Sequence, residues 1–205
     1  MRKALELGVH GFEFDIQLSR DNEPVVIHDD TLERTTNGTG NVGDFTLKEL
    51  QQLNAGGGEK IPSLRNVLDM VDMRCRLFIE LKAPLCTPPV LDLLKYYVTQ
   101  QGWNYEQFFL CSFDHLQIAT ARNINPKIRT CALIAGIPVS LAAIATEAGA
   151  WAINPAIHHI TQGLVDDAHQ RRLKVITWTA NTPALIHKAK TLGVDGIISD
   201  FPDRL

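Results

Sequence analysis

The stretch GFEFDIQ, residues 11–17, alternates like a β-strand yet carries two acids. Successive side chains on a strand point to opposite faces, so Phe12, Phe14 and Ile16 share one side and Glu13 and Asp15 the other. A second apolar run, VVIH at 25–28, ends in a histidine followed by Asp29 and Asp30. The link between the two runs, with SRDNEP at its centre, is too short for a crossover helix and reads as a turn. The two runs are therefore expected to form a hairpin.

Working outward, strand-like runs recur at 76–81, 108–113, 130–135, 151–156, 175–180 and 195–200. Amphipathic segments lie between them at 64–71, 89–102, 114–124, 138–149, 161–172 and 182–193. Thr182-Pro183 has the form of an N-cap followed by proline at the first helical position. Alternating strands and helices imply parallel β/α units. Their number, without a composition break, favours a single α/β domain over residues 1–205, a (β/α) TIM-type barrel. Residues 30–62, rich in Thr, Gly and Asn with one short helical piece (TLKELQQL), read as an excursion over one barrel end.

The 205 residues suffice for a substantial core. A net charge of −3 gives no nucleic-acid footprint and no polybasic membrane anchor. No apolar run approaches the roughly 18 residues of a membrane span. Cys75, Cys86, Cys111 and Cys131 show no C-x-x-C spacing, and Cys75, Cys111 and Cys131 fall in or beside apolar runs as small core residues. The expected compartment is reducing, hence cytoplasmic.

In a β/α barrel, chemistry sits at the C-terminal strand ends. Those ends supply Glu13 and Asp15, His28 and Asp29, and Glu80 and Lys82, then Ser112 with Phe113, Asn154, Trp178 with Asn181, and Asp200. Glu13/Asp15 and Glu80/Lys82 are i, i+2 pairs, each on one strand face. Three converging buried carboxylates cannot all remain ionised without compensation, and a hard divalent cation supplies it. Oxygen-only donors suit Ca²⁺ or Mg²⁺ rather than zinc. His28 is the group that titrates near neutral pH. Lys82 reads either as a contact for an anionic substrate or as a surface lysine neutralising Glu80, and Trp178 as core or pocket wall. His158, His159, His169 and His187 read as surface or capping residues. Gly56-Gly57-Gly58 is a turn, because no GK[ST] follows.

The block GVHGFEFDIQLSRDNEPVVIHDDTLERTTNGTG resembles the signature of glycerophosphodiester phosphodiesterases. IPSLRNVLDMV, FIELK, CSFD, VITWTANT and LGVDGIISDFPDRL follow in the family's order, so the resemblance spans essentially the whole chain. It implies a barrel similar to that of phosphatidylinositol phospholipase C, and hydrolysis of glycerophosphodiesters to glycerol 3-phosphate and an alcohol with Ca²⁺ or Mg²⁺. It implies metal ligation by Glu13, Asp15 and Glu80, catalysis by His28, and substrate contacts by Lys82 and Trp178. The family's opening His-Arg-Gly strand and Glu-Asn-Thr loop have no counterpart here. The expectation is a barrel lacking its first strand and most of its first helix, open to self-association at the exposed edge, with impaired activity. His10 has the opposite strand parity to Glu13 and Asp15 and is not expected to replace the missing histidine. A catalytically inactive binding or regulatory form of the family is the alternative, and a barrel phospholipase that releases a cyclic phosphate is a third reading.

Overall fold

Strand β1 (Gly11–Leu18) anchors the first of two compact units in the computed structural model, which describes residues 1–205. That unit comprises residues 11–108, and the second comprises residues 1–10 with 109–205.

In the first unit, β2 (Pro24–Val26) pairs antiparallel with β1, Ile16 opposite Val26. On the other side β3 (Arg76–Leu81) runs parallel to β1, giving the order β2-β1-β3. Gly11 permits the close start of this pairing, since a Cβ there would lie 2.8 Å from the Arg76 carbonyl oxygen. The 30–62 segment packs a core of its own from Leu32, Val42, Leu50 and Ile61, joined by Val25 and Ile27 around β2. Its helix α2 (Leu47–Leu50) is one turn long, following α1 (Arg2–Glu6) of the second unit in chain order. A capping box fixes α2: Glu49 N–H donates to the Thr46 hydroxyl, and the Glu49 carboxylate accepts from Thr46 N–H. Ser63 and Asn66 cap α3 (Leu64–Val71) the same way, and Leu64, Val67, Leu68 and Val71 are its buried residues. Helix α4 (Thr87–Gln100) opens on Pro88 and Pro89, where no intrahelical N–H is lost. Beyond it Trp103 stacks on Phe108 at 5.0 Å and meets the edge of Tyr97 at 6.3 Å.

The second unit continues β4 (Phe108–Ser112) into β5 (Arg129–Ile134), β6 (Ala152–Pro155), β7 (Lys174–Thr177) and β8 (Gly196–Ile197), each parallel to the next. The intervening helices are α5 (His115–Ile124), α6 (Ala143–Glu147), α7 (Gln162–Gln170) and α8 (Pro183–Thr191). Asp114, Thr161 and Thr182 cap α5, α7 and α8 through side-chain oxygens that accept backbone N–H groups. Ala132, Ile134, Ile153 and Val175 share one buried core cluster with Leu164, Val165, Ala168, Ile186 and Ala189 of the helices.

Several expectations differ in extent. Helix α6 is shorter than 138–149, because Leu141 takes a left-handed φ of 50° and the helix starts only after it. Strands β7 and β8 stop before 180 and 200, where the chain leaves the ladder for side-chain bonds of Asn181 and Ser199. No helix is long and apolar enough to cross a membrane.

Candidate active site

The first unit gathers five polar side chains from three strand ends. Glu13 and Asp15 lie on β1, and the parallel register sets Asp15 directly beside Glu80 of β3. Carboxylate oxygens of Glu13, Asp15 and Glu80 all lie within 4.8 Å of one another. Lys82 leaves β3 with its backbone N–H donating to Ile16 O, which turns its ammonium back over the acids. Its Nζ stands 3.3 Å from Glu80 Oε1, 3.4 Å from Asp15 Oδ1 and 3.3 Å from His28 Nε2.

His28 follows β2, whose hairpin carries it alongside β1, and Ile27 N–H donates to Asp15 O. Asp29 Oδ1 lies 2.5 Å from His28 Nδ1. Arg34 grips the same carboxylate with both arms of its fork, Nε to Oδ2 at 2.6 Å and Nη2 to Oδ1 at 2.7 Å. With Nδ1–H donating to Asp29, Nε2 is left as the acceptor facing Lys82. The hydrogen bonds from Arg34, then that from His28, hold the Asp29 carboxyl far below the ordinary carboxylate range. The Arg34 contribution was not visible in sequence. Its only trace is an arginine five residues after Asp29 in TLERTT, and the loop path decides whether its fork reaches back.

Burial, the largest effect on Glu80, pushes its carboxyl up; Lys82 pulls it down and Asp15 pushes it up again. The ammonium of Lys82 is pulled down by its own burial, but Glu80 and Asp15 outweigh that and leave it raised. One ammonium among three acids leaves negative charge in excess, with the Glu80 side chain only 12% exposed. An all-oxygen donor set with surplus negative charge fits a hard divalent cation.

The remaining strand-end residues belong to the second unit. The Trp178 indole N–H donates to Asn154 O at 2.8 Å, and its ring packs edge-on to Phe113 at 5.6 Å. The Asn154 side chain is fully buried with neither polar atom hydrogen-bonded. Asn181 donates to Asp200 Oδ2 at 2.7 Å and accepts from Asp200 N–H at 2.9 Å, so both residues lock the C-terminal turn. His169 bonds Asp195, and His158 and His159 are exposed. The four cysteines are buried and none is in a disulfide.

Three acids around one point, an imidazole and an ammonium compose a site suited to acid–base chemistry on an anionic ester beside a cation. The comparisons are specific. The model of the glycerophosphoryl diester phosphodiesterase family matches residues 1–204, and this chain belongs to that family. A glycerophosphodiester phosphodiesterase of Caldanaerobacter subterraneus subsp. tengcongensis is 33% identical, over 100% of this chain and 87% of that protein. Among solved structures, a phosphodiesterase of Oleispira antarctica in complex with the product sn-glycerol-3-phosphate has a TM-score of 0.90 at 26% identity, covering 98% of this chain and 85% of that one. A glycerophosphodiester phosphodiesterase from Agrobacterium tumefaciens has a TM-score of 0.81 at 27% identity, covering 99% and 89%. The chain shares the α/β barrel class of these proteins.

Proposed function

We propose that this chain hydrolyses glycerophosphodiesters to glycerol 3-phosphate and an alcohol, using a divalent cation held by Glu13, Asp15 and Glu80. The observation that carries the reading is the meeting of those three carboxylates within 4.8 Å, next to an oriented imidazole. A Ca²⁺ or Mg²⁺ ion there supplies charge neutralisation and polarisation of a phosphoryl oxygen. Lys82 places positive charge for the phosphate. The glycerol hydroxyl next to the ester attacks phosphorus, His28 Nε2 takes its proton or gives one to the departing alkoxide as the ester P–O bond breaks, and water then opens the cyclic phosphate to glycerol 3-phosphate. The buried cysteines, none in a disulfide, support a reducing, cytoplasmic location.

His28 stands beside the acids, with Nε2 3.3 Å from the Lys82 ammonium that contacts Asp15 and Glu80. General acid–base groups contribute about 10²–10⁴-fold each, so removal of the His28 imidazole is expected to slow turnover by about that factor. The test is calcium titration together with glycerol 3-phosphate release from glycerophosphocholine. Glu13→Ala and Glu80→Gln are expected to weaken calcium binding by at least about tenfold, roughly 1.4 kcal/mol. Unaltered binding in both variants removes the proposed ligands. Calcium binding without any product release, even after prolonged incubation, moves the reading to a non-catalytic form.

A further inference from the structure

At the N-terminal ends of β5, β6 and β7 the second unit holds a cleft of about 490 Å³. Five cationic side chains line it: Arg122, Lys127, Arg129, Arg171 and Arg172. No carboxylate does. The chain as a whole is acidic, with 20 Lys and Arg against 23 Asp and Glu, so a quarter of its cations crowd one cavity. Like charges gathered this closely repel one another. Asp167, outside the lining, pairs with Arg171 at 2.9 Å. The arginines are also held in place. Arg122 bonds the Pro126 carbonyl, and Arg129 lies over the rings of Trp151 and Phe109 at 5.3 and 5.5 Å.

A second observation points to a missing partner. Thr130, which lines the same cleft, is fully buried, and its hydroxyl has no hydrogen-bond partner. Buried hydroxyls are ordinarily satisfied, so an orphan in the wall of a cleft that four arginines also line marks an unmet polar group there. The volume suits a small molecule. Planar guanidinium forks recognise phosphate oxygens in pairs, and with Arg171 paired and Arg129 left aside, Arg122, Lys127 and Arg172 still exceed what one phosphate dianion needs.

We propose that this cleft is a binding site for a polyphosphorylated anion, one carrying two or more phosphate groups, either free in solution or displayed as a lipid headgroup. The proposal is independent of the carboxylate site, because none of its residues takes part there.

Calorimetric titration of the full chain with tripolyphosphate and with orthophosphate tests it, beside flotation with phosphatidylcholine vesicles containing or lacking phosphatidylinositol bisphosphate. Tripolyphosphate is expected to bind one per chain and more tightly than orthophosphate by about tenfold or more. Lys127→Glu with Arg172→Glu, both at exposed positions, is expected to abolish binding without loss of the folded near-ultraviolet spectrum. Thr130→Val, nearly isosteric, is expected to weaken binding while keeping or raising the melting temperature. Binding of tripolyphosphate assigns a soluble ligand, and binding of the bisphosphate vesicles alone assigns a headgroup. Binding of neither, or undiminished affinity in either variant, overturns the proposal.

Discussion

Asp29 receives His28 on one oxygen and Arg34 on both, so a single half-buried loop carboxylate sets the orientation of the imidazole. Asp29→Asn keeps the shape but gives up the charge and one acceptor. It is expected to lower kcat by about 10²-fold with little change in KM, since misplacing a reacting group by an ångström costs about that much. Arg34→Lys loses the paired fork and is expected to fall between wild type and Asp29→Asn. A readout independent of turnover is the His28 ring proton: donation to the Asp29 carboxylate predicts a downfield-shifted Nδ1–H resonance that moves upfield in Asp29→Asn. Of these residues, Glu13, Asp15 and Glu80 were legible in sequence, because a strand has a fixed period and an acid among phenylalanines breaks its pattern. Arg34 was not, because no period governs a loop and only its folded path brings the guanidinium to Asp29.

The end of α7, the start of β7 and the turn into β8 meet at Asp195. Its carboxylate accepts from His169 Nε2 at 2.9 Å, Lys174 Nζ at 2.7 Å and Val175 N–H at 2.9 Å. Burial pushes this carboxyl up, but the bonds from Lys174, Val175 and His169 outweigh it and hold it low. A depressed folded value means stability that is present above the ordinary aspartate range and lost as pH falls through the depressed value. Asp195→Asn is expected to cost about 1–3 kcal/mol at neutral pH, measured by urea unfolding, with the gap to wild type closing in acid. Helix α6 shows the limit of pattern reading at this scale. Its sequence repeats as a helix over 138–149, yet its first turn is replaced by a left-handed Leu141, and Ala142 N–H is met by Asp167 of α7 at 2.9 Å. A neighbouring element decides where that helix begins. By contrast β1 and α3 matched the sequence residue for residue, since strand alternation and the helical spacing of Leu64, Val67, Leu68 and Val71 are local signals.

For the molecule as a whole, a cation that binds only the folded chain adds stability by mass action. Calcium at a hundred times its Kd contributes about 2.7 kcal/mol, which for a chain of this length raises Tm by about 5–10 °C. Differential scanning calorimetry checks this, and Glu80→Gln is expected to lose most of the rise. The pH trend has a definite sign. Because burial raises Glu80, its own contribution without metal is full below the ordinary glutamate range and lost as pH climbs through the raised value. Calcium needs the ionised form, so the calcium-dependent rise grows over that same interval. The sandwich of Trp103 on Phe108 offers a convenient witness to such transitions. Trp103 is 4% exposed within residues 11–108, whereas Trp151 and Trp178 both lie in the second unit and are only half-buried. Trp103 therefore emits at short wavelength and resists acrylamide quenching. With Trp151 and Trp178 changed to phenylalanine, its emission would follow the loosening of the carboxylate-bearing unit alone.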